Sequence, residues 1–299
     1  MRILESRGNE EIAMVYVADM GQERLVEFVE STPPPTTREQ KWVLIISPLY
    51  GCPVGCPMCD AGGGYRGKLT KEEMFSQIDH MVYNRYPDGK VPVKKFKVQF
   101  ARMGEPALNP AVLDVLEELP NRYEAPGLLP SLSSVAPHGT DDFFKRLKEL
   151  KDKHYPGRFQ LQFSIHSTCQ KEREKYIPIK KWDFKKIASY GHSFREEEDK
   201  RVTLNFISMK NQNIEPEVLS EHFSPEDFLI KITPLNPTTR GKEKGLTSGF
   251  DPEEPEAARG LVESIEKAGF QVILSIGDLE ENKIGSNCGQ YVQRLLSRR

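Results

Sequence analysis

A chain of 299 residues, 37% hydrophobic and 29% charged, is long enough for one large domain or two small ones and rich enough in apolar side chains to bury a core. Its net charge of −2 and pI of about 6.4 argue against a protein held mainly by phosphate contacts, although they do not exclude nucleic acid. No apolar run approaches the roughly 20 residues of a membrane span, and Met1-Arg-Ile-Leu-Glu-Ser-Arg lacks a stretch of signal-peptide length, so the sequence reads as a cytoplasmic protein with no membrane partner.

Residues 11–17 and 24–30 read as two short strands, joined across Asp19-Met-Gly-Gln-Glu as a hairpin. Ser31-Thr-Pro-Pro-Pro-Thr-Thr-Arg-Glu-Gln40 can be neither helix nor central strand. It reads as a linker, setting a small N-terminal β element over 1–40 apart from a body over 41–299. The body alternates. Strands are expected at 42–47, 95–101, 129–134, 158–164, 201–207, 229–233 and 271–276. Helices are expected at 70–83, 110–119, 140–153, 182–190, 215–222 and 253–268. Such alternation gives βαβ units around a parallel sheet with right-handed crossovers. The fold class is therefore α/β, a partial (β/α)6 TIM-like barrel with a small N-terminal β element and a C-terminal extension. The mixed-charge runs 145–153 and 171–175 have helical spacing and read as solvated helix faces, a nucleic-acid patch being the alternative.

In folds of this kind reactive groups gather where strands end and loops begin. Cys52-Pro-Val-Gly-Cys56-Pro-Met-Cys59 follows the first body strand, with Ala61-Gly-Gly-Gly-Tyr65 behind it. Met103-Gly-Glu-Pro follows the second, Ser133-Ser134 end the third, Ser164-Ile-His166 ends the fourth, Ser208 follows the fifth and Pro234-Leu-Asn-Pro237 ends the sixth. Five cysteines in so long a chain are not a secreted disulfide framework, and in a reducing compartment a tight triplet points to metal binding or catalysis. Thiolates suit zinc and iron–sulfur clusters. Three could hold a structural zinc with a fourth ligand from elsewhere, or three irons of a four-iron cluster with the fourth iron open. C-x3-C-x2-C is an uncommon zinc spacing, and the glycines let backbone come close to a cluster. The open 4Fe–4S cluster is the favoured reading; zinc and no metal are the alternatives.

A C-x3-C-x2-C loop after the first strand of a partial barrel resembles the radical S-adenosylmethionine enzymes, and within them this chain resembles the RNA adenine methylases that act at C2 or C8. Gly64-Tyr65, Leu69, Glu73 and Gln77 follow that family's pattern behind the cluster. So do Met103-Gly-Glu-Pro-Ala-Leu-Asn109, Ser131-Leu-Ser-Ser, Ser164-Ile-His, Glu172-Arg through Tyr176-Ile-Pro-Ile, Pro234-Leu-Asn-Pro, and Ile284 through Asn287-Cys288-Gly-Gln290. The resemblance spans about residues 24–295. It implies that Cys52, Cys56 and Cys59 hold the cluster, and that Gly104 and Glu105 touch the amino group of S-adenosyl-L-methionine. Ser133, Ser164, Ile165, His166 and Asn236 would line the rest of that site. Cys288 would carry a methyl group from one cofactor, from which a second cofactor's radical abstracts hydrogen before the carbon adds to an electron-poor ring carbon. Glu27 would be the carboxylate that deprotonates the substrate carbon, and a low-potential flavodoxin or ferredoxin the electron donor of a monomer.

The departures are specific. Met58 replaces the aromatic residue usual before the third cysteine, and Ile45 stands where the family has its resolving cysteine. Glu280-Glu-Asn-Lys283 replaces an Arg-Gly-Asp-Asp run, and only about 40 residues precede the barrel, so the family's N-terminal RNA-binding domain is not expected. Cys169 could substitute as resolving thiol or be a small core residue. His166 could equally be a satisfied core histidine, Glu105 a helix cap, Cys288 a buried small hydrophobe and Glu27 an exposed strand carboxylate. The sequence thus yields three readings: a methylase acting through Cys288 on RNA or another acceptor, a radical enzyme on a small molecule or peptide without cysteine methylation, or a non-catalytic iron–sulfur or zinc protein.

Overall fold

The computed structural model describes residues 1–277, 279–286 and 291–292. Its N-terminal strands β1 (Arg2–Asn9), β2 (Ala13–Asp19) and β3 (Leu25–Ser31) form an antiparallel meander that continues into β4 (Trp42–Ile46). A small hairpin, β5 (Leu49–Cys52) and β6 (Gly63–Lys68), leads to α1 (Lys71–Arg85). The chain then runs through β7 (Phe96–Phe100), α2 (Ala111–Arg122), β8 (Leu128–Ser134), α3 (Asp141–His154) and β9 (Gln160–Ser164). After α4 (Gln170–Tyr176) and α5 (Phe184–Phe194) come β10 (Val202–Ser208), α6 (Pro216–His222), β11 (Phe228–Pro234) and α7 (Thr239–Glu243). A 3-10 turn, Pro255–Ala258, leads into α8 (Arg259–Lys267), followed by β12 (Val272–Leu274) and α9 (Leu279–Ile284).

Ten strands make one sheet in the order β1-β2-β3-β4-β7-β8-β9-β10-β11-β12, parallel from β4 onward. The expected α/β fold with its parallel sheet is present, and the N-terminal strands are an extension of that same sheet. Its two faces differ. Leu44, Ile46, Phe96, Val98, Phe100, Leu204, Phe206, Ile230 and Ile232 are fully buried, while the alternate positions Lys97, Gln99, Ser133, Ser164, Asn205, Lys231 and Thr233 are partly exposed. Because strand side chains alternate, these polar residues share the inner face. Gln162 Nε2 donates to Ser131 Oγ (3.1 Å) and Asn205 Nδ2 to Gln162 Oε1 (3.4 Å), a polar row across β8, β9 and β10. A closed barrel would fill this space with branched apolar side chains; this one is lined for polar contacts.

The C-terminal segment turns back to the N-terminal strands. Ser31 Oγ donates to Glu281 Oε1 (3.0 Å) across 250 residues of sequence, and the Arg7 guanidinium lies 5.1 Å from the Tyr291 ring centroid. Among the described residues no helix is long and apolar enough to cross a membrane.

Candidate active site

Beyond β4 the chain is fixed before it reaches the first cysteine. Gln77 on α1 is fully buried; its Oε1 accepts the Ser47 N–H (2.9 Å) and its Nε2 donates to the Ser47 carbonyl (3.0 Å). Ser47 Oγ donates to the Glu27 carbonyl and accepts the Met103 N–H (3.0 Å). Asn109 Nδ2 donates to the carbonyls of both Pro48 and Leu69, each at 2.8 Å. These carbonyls flank the cysteine loop, so one buried amide holds its entry and its exit together.

The three thiols lie on that loop. The Cys52 sulfur accepts backbone N–H groups of Val54, Gly55 and Glu105, while burial pushes the thiol up to about 11. Burial, with Cys59, Cys52 and Glu105 close by, raises Cys56 well above the ordinary thiol range. Ligation therefore has to displace protons from these thiols. Among the described residues no three His, Cys, Asp or Glu side chains converge on a single-ion site. Downstream, Asp60 accepts the Thr239 and Arg240 N–H groups (3.0 and 2.8 Å), and Thr238 Oγ1 donates to the Met58 carbonyl (3.0 Å). This ties the loop to the start of α7. Arg240 Nη1 is buried without a hydrogen-bond partner, and a Cβ at Gly62 would stand 2.2 Å from it. Soft donors on a glycine-rich loop, with a buried guanidinium nitrogen beside them, fit an anionic iron–sulfur cluster.

The expected S-adenosylmethionine residues lie at neighbouring strand ends. Gly104 has φ +105°, and a Cβ there would fall 2.3 Å from that of Leu49, so only glycine lets this strand end approach the loop. Glu105 Oε1 accepts from the Ala107 N–H (3.0 Å) and Ser134 Oγ, and Oε2 from the Val135 N–H (2.8 Å). Burial raises its carboxyl to about 7 against these three donors. Glu105 caps the 3-10 turn Pro106–Leu108 while its own N–H meets Cys52, so capping does not exclude a functional part. Ser133 and Ser164 sit on the inner face of β8 and β9, and Ile165 is fully buried. His166 adopts φ +62°, and its Nδ1 accepts the Ile207 N–H at 3.3 Å. Burial, then Arg173, lowers its imidazole to about 4. Asn236 follows β11, its carbonyl accepting the Thr238 N–H (2.8 Å). Asn205 Oδ1 is buried without a partner, on the residue that pairs in register with Ser164. An orphaned acceptor beside two inner-face serines fits a polar ligand in this space.

Glu27 is not an exposed strand carboxylate. It is fully buried and ion-paired to Arg102, with Nη2 to Oε1 at 2.7 Å, and its Oε2 accepts the Val292 N–H at 3.1 Å. Burial raises its carboxyl, opposed by Arg102 and by the Val292 and Tyr291 N–H groups. Ile45 pairs with Val29 and Gln99 on the inner side of β4. Cys169 is a free, partly exposed thiol at the start of α4. Cys288 lies outside the described residues. Sequence reasoning missed Arg102, Asp60, Asn205 and Arg240. Arg102 alone carried a signal, as a charge between an apolar strand and Met103-Gly-Glu-Pro.

A mostly parallel α/β sheet, with a three-cysteine loop after its first parallel strand and a Gly-Glu strand end against that loop, is an architecture shared with radical S-adenosylmethionine proteins. The chain has the fold of a radical SAM methyltransferase from Sphaerobacter thermophilus, with a TM-score of 0.74 and 18% identity over 96% of this chain and 80% of that one. In sequence it resembles RNA methyltransferases named RlmN. It is 25% identical over 272 residues to the probable dual-specificity RNA methyltransferase RlmN of Cutibacterium acnes, covering 86% of this chain and 64% of that protein. The protein of the same name from Prochlorococcus marinus is 26% identical over 273 residues, covering 88% and 70%. The dual-specificity RNA methyltransferase RlmN of Helicobacter hepaticus is 25% identical over 176 residues, covering 58% and 46%. The chain thus spans less than two thirds of the length of the first of these relatives. No family profile matches the chain.

Proposed function

We propose that this chain is a radical S-adenosylmethionine methylase. Cys52, Cys56 and Cys59 would hold a 4Fe–4S cluster, and Cys288 would carry a methyl-derived carbon to an unreactive sp2 carbon. RNA is the acceptor class named in its relatives, and adenine is the base that the motif resemblance suggests. One observation carries the reading: the cysteine loop, the Gly104–Glu105 strand end and the described backbone on either side of residues 287–290 are joined through Ser47, Glu27 and Arg102. When bound, the cluster and S-adenosylmethionine supply a carbon-centred radical at the cost of one electron, which a flavodoxin or ferredoxin would deliver.

The chain's own residues supply placement. Ser133, Ser164 and Asn205 Oδ1 offer hydroxyl and amide groups to the cofactor's polar edges, with Glu105, Asn236 and the neutral His166 at the adjoining strand ends. His166 has Nδ1 engaged by Ile207, which leaves Nε2–H as a donor. Cys288, its thiol proton passing to solvent, would accept through its thiolate the methyl of one S-adenosylmethionine, which would leave as S-adenosylhomocysteine. Glu27, paired with Arg102, has a holding part rather than that of a free base.

The test is mass spectrometry of tryptic peptides from protein made in cells containing S-adenosylmethionine. The Cys288 peptide should carry one added methyl mass, and anaerobic incubation with labelled cofactor and total RNA should move label into RNA. A Cys288→Ala variant with undiminished transfer would overturn the carrier role. Ile45 favours a second reading, because no thiol stands there to release a Cys288 adduct. On that reading the enzyme acts on a small molecule or peptide, cleaving the cofactor with Cys288 unmodified.

A further inference from the structure

We infer that the buried Arg102–Glu27 ion pair is a positioning device, fixing the backbone at Gly285, Ser286 and Val292, on either side of Cys288 in the sequence, to the strand end that carries Gly104 and Glu105. The inference rests on the methylase reading for the part played by Cys288, and on the geometry for the rest. Both side chains are almost completely shielded from solvent. Arg102 Nε and Nη2 donate to Glu27 Oε1 at 2.8 and 2.7 Å. The same guanidinium turns outward to the C-terminal segment: Nη1 donates to the Ser286 carbonyl, and Nη2 to that of Gly285 at 2.7 Å. Glu27 Oε2 accepts the Val292 N–H at 3.1 Å. One ion pair therefore grips described backbone both before and after residues 287–290.

A stabilising role alone would not require this chemistry. Well-packed apolar side chains replace buried ion pairs with little loss and sometimes a gain. They cannot, however, bond two carbonyls and one N–H and so fix where a backbone lies. A planar guanidinium presents several donors in a rigid fork, which a single ammonium cannot copy. Arg102 stands two residues before Gly104, and Met103 between them is bonded to Ser47 at the entry of the cysteine loop. The positions of Gly285, Ser286 and Val292 are thus referred directly to the strand end of Gly104 and Glu105 and to the cysteine loop. Methyl transfer to a thiol needs close alignment, where a misplacement of about 1 Å can cost roughly 100-fold.

Arg102→Lys keeps the charge and the partner of Glu27 but loses the fork, and Arg102→Met removes both. In Arg102→Lys the fraction of Cys288 carrying a methyl group should fall at least about tenfold. Dithionite-driven release of 5′-deoxyadenosine from S-adenosylmethionine, and iron content, should stay within about twofold, since the Arg102 side-chain bonds go to Glu27 and to the Gly285 and Ser286 carbonyls. Amide hydrogen exchange at Gly285, Ser286 and Val292 should quicken in both variants. A folded variant with wild-type methyl loading overturns the inference. If the wild-type protein carries no methyl on Cys288, the methylase reading fails by itself, and hydrogen exchange decides: unchanged protection at those three amides overturns the clamp, and lost protection in Arg102→Lys upholds it.

Discussion

His166 combines two unusual properties, and both follow from its place at the end of β9. Its φ of +62° is a region that non-glycine residues seldom enter, and its ring is buried with Nδ1 facing the Ile207 N–H. Protonation would set a ring donor against a backbone donor in a buried site, which agrees with an imidazole lowered to about 4 by burial and by Arg173. The linkage has a definite sign. An unfolded histidine takes its proton near pH 6.5 and the folded one near 4, so between these the unfolded state binds more protons. The stability present above about pH 6.5 is lost as pH falls towards 4, by up to roughly 3 kcal/mol. Asparagine tolerates the left-handed conformation and does not titrate. The stability cost of His166→Asn in urea unfolding should therefore be larger near pH 7.5 than near pH 5; an equal cost at both would remove this account.

At the scale of elements, the loop is held by side chains of helices and turns that ligate nothing. Asn109 serves the carbonyls of Pro48 and Leu69; its replacement by alanine would leave the Leu69 carbonyl unmet, at about 1–3 kcal/mol, while the Pro48 carbonyl keeps the Leu69 N–H. We expect Asn109→Ala to fold, to melt several degrees lower, and to lose iron several-fold faster after anaerobic reconstitution. Iron retention equal to wild type would show that the loop holds its shape unaided. The parallel strands were legible in the sequence because strands buried on one face under helices alternate apolar and polar residues between turn signals, as in Phe96–Phe100 and Phe228–Pro234. The hairpin β5–β6 was not, because Leu49–Cys52 and Gly63–Lys68 lack an alternating pattern and pair through closure of the cysteine loop. β1 was missed because it is an exposed edge strand with no buried face to write a period into its sequence. The charged run 171–175 does form a helix, α4, but its expected solvated face fails at Arg173. That residue is fully buried, Nη1 donating to the Trp182 carbonyl and the guanidinium 5.2 Å from the Phe184 ring centroid.

Over the whole molecule, the N-terminal meander meets Glu281, Gly285, Ser286 and Val292 on the inner face of the sheet. Local motifs announced the cysteines, Gly104, Glu105 and His166, each standing at a strand end. No local pattern could announce that Arg102 bonds a carbonyl 184 residues further on, or that Glu27 accepts an N–H 265 residues away. These contacts make the N-terminal meander depend on the C-terminal segment. Both sides of β3 are buried, Phe28 against His80 of α1 on one side and Glu27 and Ser31 under the C-terminal segment on the other. A chain ended after Gly277 would remove the carbonyls that Arg102 bonds, the N–H on Glu27 and the carboxylate on Ser31. Among the described residues the parallel strands β7 to β11 keep their helices, so the damage should be regional, in line with the uneven local stability of folded proteins. Hydrogen exchange should then quicken in β2 and β3 by an order of magnitude or more while β7 to β11 keep their protection, and limited proteolysis should cut first within residues 1–40. Uniform loss of protection over both regions would mean that the sheet unfolds as one unit, and no change at β3 would mean that the C-terminal segment rests on the meander without supporting it.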